Sequence, residues 1–114
     1  MRRLLLLPCL LVAACSRGPE ADLPTIGEAR SLAAEWALVN EQAARGKLTA
    51  PYIRTMRQGL REQLQTGAKS LTEPGSRYGL EIEALLAELD DAAPQELRAH
   101  AAALKQIEDR LESA

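Results

Sequence analysis

The chain has 114 residues, with 16 acidic and 14 basic side chains, a formal charge of −2, 3% aromatic residues and no Phe. That length supports one domain and not two. The acidic balance excludes a general nucleic-acid binder, which needs a basic stripe and excess positive charge.

In chain order, Arg2 and Arg3 precede an apolar run, Leu4–Val12, and Val12-Ala13-Ala14 leads directly into Cys15. As a helix, Leu4–Ala14 spans only about 16 Å against a hydrocarbon core of roughly 30 Å. Pro8 also interrupts it. A permanent transmembrane helix is thereby disfavoured. The segment resembles a bacterial lipoprotein signal peptide with the lipobox Val12-Ala13-Ala14-Cys15. An ordinary secretory signal also ends in small residues, but Cys15 directly after Ala14, followed by the polar Ser16-Arg17-Gly18-Pro19, favours the lipobox.

The resemblance implies cleavage before Cys15, a diacylglycerol on its sulfur and an acylated amine, with palmitate-type chains as the membrane contact. Each buried methylene contributes about 0.8 kcal/mol, so two or three long chains hold a protein essentially irreversibly. In enterobacterial members of this class, Asp after the lipidated Cys favours retention in the inner membrane. Ser16 occupies that position here, which implies the periplasmic face of the outer membrane, with the inner membrane as the alternative. The resemblance covers about the first sixteen residues and does not extend to the fold.

If Cys9 leaves with the signal peptide and Cys15 becomes a thioether, the mature chain has no free thiol, disulfide or Cys-ligated metal site. All 16 acidic residues and 12 of the 14 basic ones follow Cys15, leaving a mature charge of −4. Three segments are expected: a signal peptide over 1–14, the lipidated Cys with a flexible tether over 15–24, and a helical domain over 25–114. The tether reading rests on two prolines in Ser16–Pro24 and the absence of apolar periodicity there.

Thr25-Ile26-Gly27-Glu28 matches a capping box, so a first helix is expected from Ile26 to Arg45, stopped by Gly46. Thr49 caps a second, Ala50 to about Leu71, with Pro51 in its first turn. Thr72-Glu73-Pro74-Gly75-Ser76 breaks the chain. A third helix is expected over Arg77–Asp90 and a fourth over Pro94–Glu112, with Asp91 as a cap. Strand-like alternation of β-branched residues is absent.

Helical periodicity puts Ala29, Leu32, Ala33, Trp36, Val39 and Ala43 on one face of the first helix. The second carries Ile53, Met56, Leu60, Leu64, Gly67 and Leu71, and the third Tyr78, Ile82, Leu85, Leu86 and Leu89. Leu97, Ala101, Leu104, Ile107 and Leu111 line the fourth. The expected fold is all-α, a small antiparallel bundle of about four amphipathic helices, with an open hairpin array that dimerises as the alternative. Its many alanines imply close helix approach and a thin core. The second helix carries a charge of +3 and residues 77–91 a charge of −4, which favours their pairing.

Candidate sites are few. His100 is the single His and falls between Leu97 and Leu104, which suits a boundary position more than a metal ligand. Glu81 and Glu83 point about 200° apart on a helix and cannot form a dyad. Asp90-Asp91 reads as a helix end and a cap. The serines have no neighbouring base, and Gly75 and Gly79 lack the spacing of a phosphate loop. No catalytic, cofactor-binding or metal residues are assigned, and no cofactor is expected.

The candidate partner contacts are Leu38, opposite Trp36 on its helix, and the ridge of Arg54, Arg57 and Arg61, although pairing with the acidic third helix competes for those arginines. Trp36, at the centre of its stripe, reads as core and not as an interface hot spot. The expected function is a lipid-anchored envelope protein acting through protein–protein contact, as an adaptor, a structural protein or an immunity-like inhibitor. Its membrane contact is the lipid on Cys15, its other partner a protein or a second copy, and nucleic acid is excluded. A periplasmic small-ligand carrier or enzyme is the alternative.

Overall fold

The computed structural model describes residues 18–114. The signal-peptide segment, the lipobox and Cys15 lie outside these residues. Four helices follow in order: α1 (Pro19–Ala44), α2 (Ala50–Ser70), α3 (Arg77–Leu86) and α4 (Pro94–Ser113). They run alternately up and down, and α1 packs most extensively along α4, then along α2, with α3 closing the ring between α2 and α4. The all-α bundle expected from the sequence is the observed fold.

Local signals explain most of the boundaries. Gly46, at φ +70°, occupies the left-handed position that ends α1. Its N–H reaches the Ala43 carbonyl at 3.0 Å and the Lys47 N–H reaches Gln42 at 3.0 Å, so two of the orphan carbonyls are satisfied. Thr49 caps α2 through the Tyr52 N–H, and Ser76 caps α3 through the Gly79 N–H at 3.2 Å. Gly79 has a second reason to be glycine: a Cβ there would lie 2.1 Å from the Pro74 carbonyl oxygen. The turn before α3 therefore closes tightly onto its own first coil.

Two boundaries differ from the sequence expectation. α1 begins at Pro19, so residues 19–24 are helix and not tether, and Thr25 lies inside the helix instead of capping it. Pro19 suits the first helical position, where its missing N–H is not needed. Pro24, however, lies inside the helix. An interior proline costs about 3 kcal/mol or more. The compensation lies at Asp22, a buried carboxylate with partners on three residues around fifty positions away. Hydrogen bonds to a charged group contribute about 1.5–3 kcal/mol each, so several of them outweigh one proline.

The second difference is at the end of α3, which stops at Leu86 and not at Asp90. Leu89, placed on the apolar stripe by periodicity, is 74% exposed. Asp91 does not cap α4; the N-cap is Ala93, without a side-chain bond. The reason is tertiary: the carbonyls of Leu86, Glu88, Asp90 and Ala92 accept from side chains of α1 and α2, which a continued helix would not allow.

The core follows the stripes elsewhere. Ile26, Ala33, Trp36, Leu64, Ile82, Leu85, Leu97 and Leu104 are sealed from solvent. Ala29, Ala33 and Ala37 lie four apart on α1 and are all buried, and small side chains there permit close approach of its neighbours. Leu60 is buried in the middle of α2, whereas Gln58 is exposed and bonds only Glu62 on its own helix. Leu60→Asp should therefore unfold a large fraction of the protein, by several kcal/mol for a buried unpaired carboxylate, while Gln58→Asp changes stability by about 0.5 kcal/mol or less. Thermal melts followed by circular dichroism distinguish the two; equal shifts would place Leu60 outside the core.

Candidate functional site

Three polar clusters occupy the spaces between helices. The first lies where α1 begins. Asp22 Oδ2 accepts from the Tyr78 hydroxyl at 2.6 Å, from Thr72 Oγ1 at 2.9 Å and from the Glu73 N–H at 3.2 Å, and Oδ1 accepts from the Thr72 N–H at 2.9 Å. Burial pushes the carboxyl pKa up, but these donors outweigh it and hold the carboxyl below its ordinary 3.8. Burial, and then the bond to this carboxylate, push the Tyr78 hydroxyl up to about 12. Asp22 is thus a fixed anion that ties the start of α1 to the α2–α3 turn.

The second cluster holds the segment between α3 and α4. Trp36 Nε1 and Asn40 Nδ2 both donate to the Asp90 carbonyl, at 2.9 and 3.0 Å, and Asn40 Nδ2 also reaches Ala92 at 2.8 Å. Arg61 donates to the carbonyls of Leu86 at 2.7 Å and Glu88 at 2.9 Å, and to the Asp90 carboxylate at 2.9 Å. Its guanidinium carbon sits 5.0 Å from the Trp36 ring centroid, a cation–π contact. Arg57 Nε donates to Asn40 Oδ1 at 2.9 Å. One arginine thereby caps the carboxyl end of α3, where the helix dipole favours a cation.

The third cluster joins α4 to α3. His100 Nδ1 lies 2.5 Å from Glu81 Oε2, and Nε2 lies 2.8 Å from Glu88 Oε2. Neutral imidazole has one N–H and one lone pair, so in either tautomer a lone pair would face a carboxylate. The imidazolium donates to both. Burial pulls the His100 pKa down, yet the bonds to Glu81 and Glu88 outweigh it and raise the pKa above the ordinary 6.5. Glu81 and Glu88 are seven residues apart, whereas Glu83 points to solvent, as expected for a pair that cannot act together.

The sequence-assigned residues distribute as follows. Cys15 lies outside the described residues. Leu38 is 52% exposed on the outer side of α1. Arg54 is exposed, Arg57 and Arg61 are half-buried, and the three line one open depression with Gln58 and Asp90, while Arg57 also bonds Asn40 and Arg61 the Leu86 carbonyl. Leu38 and the ridge do not form one surface. Arg57 docks on Asn40, and Asn40 is two residues from Leu38, about 200° around α1. The expected pairing of the second helix with the acidic segment is realised through Arg61 and Asp90 alone among the three arginines.

Asp22, Asn40 and the Glu81–His100–Glu88 bridge were not singled out from the sequence as site residues. The seven-residue spacing of Glu81 and Glu88, two helical turns, was the one signal available for the last. Glu108, Asp109 and Glu112 also converge at the end of α4, but Glu108 pairs with Arg30 at 3.0 Å and Asp109 with Lys105 at 3.4 Å. Two of its three carboxylates are therefore already paired.

Among depressions between α1 and α2, the tightest has a volume of about 10 Å³, enough for about one water. A larger one nearby, about 440 Å³ and lined by Thr25, Glu28, Gln63 and Gly67, is an open groove on the surface. The fold and the clusters define a class, an up-down-up-down helical bundle latched by buried polar contacts. No protein-family model, curated protein or solved structure matches the chain.

A raised His100 pKa makes its contribution to stability complete below the ordinary pKa of 6.5 and lost as pH rises through the folded value. The stability difference between the wild type and His100→Gln should therefore be largest below pH 6.5 and shrink as the pH rises above it. Urea midpoints at several pH values measure it. A difference that grows with pH would show that His100 is neutral in the folded protein.

Proposed function

We propose that this chain is a lipid-anchored helical protein of the bacterial envelope that works by binding another protein. The anchor is the lipid on Cys15, and Ser16 after it supports the periplasmic face of the outer membrane. The observation that carries the binding role is the use of the polar side chains. Asp22, Trp36, Asn40, Arg61 and His100 are each engaged with partners inside the molecule, which suits a scaffold and leaves them poorly placed for turnover. Catalysis needs groups free to meet a substrate at hydrogen-bond distance.

The surface available to a partner includes Leu38 on α1 and Arg54 on α2, both exposed and on separate faces. Arg57 and Arg61, half-buried beside Arg54 in the same open depression, are partly occupied by bonds within the fold and contribute less of that surface. A ligand carrier fits less well, since bound small molecules are normally enclosed in cavities of about 300–1,000 Å³, and the depressions here are open.

Cys15→Ser should abolish labelling with palmitate and release the domain from the membrane fraction while its helical circular dichroism stays unchanged. A photoreactive residue in place of Leu38 or Arg54 should capture a discrete envelope protein, whose mass distinguishes a second copy from another species. Wild-type protein that takes up no palmitate contradicts the anchor. Robust turnover by purified residues 16–114 contradicts the binding role.

A further inference from the structure

We propose that the end of the bundle where α1 and α3 begin, and where α2 and α4 finish, lies against the lipid surface. Arg77, Leu80 and Arg110 enter the headgroup layer. This orientation rests on the lipoprotein reading of Cys15. Only Ser16, Arg17 and Gly18 separate Cys15 from Pro19, the first residue of α1. Four Cα-to-Cα steps reach at most about 14 Å, whereas a 26-residue helix is about 39 Å long.

The start of α1 cannot unwind cheaply to lengthen that reach. Asp22 fixes its first turns to Thr72, Glu73 and Tyr78. The same bonds bring the end of α2 and the start of α3 to this end of the molecule. The last turns of α4 come to the same end, where Ile107, Arg110 and Leu111 line a depression with Ser76, Arg77 and Tyr78 at the start of α3. The opposite end, with Gly46, Lys47 and Pro94, is a full helix length away.

The surface at the near end has chemistry that suits a phospholipid. A depression of about 240 Å³ is lined by Ser76, Arg77, Tyr78, Ile107, Arg110 and Leu111, with two guanidinium groups and no carboxylate among them. Among the described residues, neither Arg77 nor Arg110 forms an ion pair. Leu80 is 62% exposed and sits one turn after Arg77 on the same side of α3. A cation beside an exposed large apolar side chain matches a boundary between phosphate and acyl chain.

Glu20, Glu73 and Glu112 are exposed at the same end, so broad attraction to an anionic membrane does not supply the contact. The anchor does. A short tether converts headgroup binding into an intramolecular event at high effective concentration, where weak local contacts suffice to set orientation.

The test uses the lipidated chain in vesicles of phosphatidylethanolamine and phosphatidylglycerol containing headgroup-nitroxide lipid. A fluorophore is placed on Leu80→Cys at the near end or on Lys47→Cys at the far end. The Cys15 sulfur is occupied by lipid, so the introduced thiol is labelled alone. Quenching should be several-fold stronger at position 80 than at position 47, and Arg77→Glu with Arg110→Glu should reduce it at position 80. A lipidated chain quenched equally at both positions overturns the orientation alone. Absence of diacylglycerol from Cys15 by mass spectrometry overturns the anchor and the orientation together.

Discussion

Between the end of α3 and the start of α4 the chain has no regular ladder for its carbonyl groups, and three side chains from two other helices supply the donors. Trp36 and Asn40 reach over from α1, Arg61 from α2, and together they engage the carbonyls of Leu86, Glu88, Asp90 and Ala92. A buried carbonyl left without a partner costs about 1–3 kcal/mol, a penalty that applies in full at Ala92 and in part at the three half-buried bonds. α3 has ten residues, too few to be stable as an isolated helix. It persists because its ends are held: Asp22 bonds Tyr78 in its first turn, and Arg61 caps its last.

That arrangement bears directly on function. The side chains capable of chemistry in this sequence are few, and the fold uses them as connectors. Trp36 is 1% exposed, stacked under Arg61 and bonded to a backbone carbonyl, so the single tryptophan acts in the core and not as an interface anchor. His100 joins α4 to the middle of α3 and to the segment just after it through two carboxylates. Outward features include Leu38 on α1, Tyr52 and Arg54 on α2, the Arg77–Leu80 face of α3 and Leu89 after it. This division suits the binding role proposed above.

Features governed by near neighbours in the chain were legible from residue order. Gly46 ends α1, Thr49 begins α2, and the stripes through Trp36, Leu60, Ile82 and Leu104 mark the core. What failed depends on distant partners. Pro24 reads as a breaker until Asp22 is seen to reach residues fifty positions away, and Leu89 reads as core until the carbonyl of Asp90 is seen bonded to Trp36 and Asn40. The arginine ridge on α2 was visible as a pattern, but nothing local shows that Arg57 and Arg61 bond across to α1 and to the segment after α3 while Arg54 stays exposed. Buried polar partnerships across the bundle have no periodicity, and periodicity was the main signal available.

The central claim is that polar side chains from α1 and α2 hold the α3 region in place, and that the apolar stripes alone would not. Native-state hydrogen exchange of wild type and Asn40→Leu tests it most directly, because the substitution keeps apolar bulk while removing the donors to Asp90 and Ala92. Amides of α3 and of residues 87–93 should lose protection far more than those in the middle of α1 and α4, which keep their packing. A uniform loss across all four helices, or no loss in α3, would contradict the account.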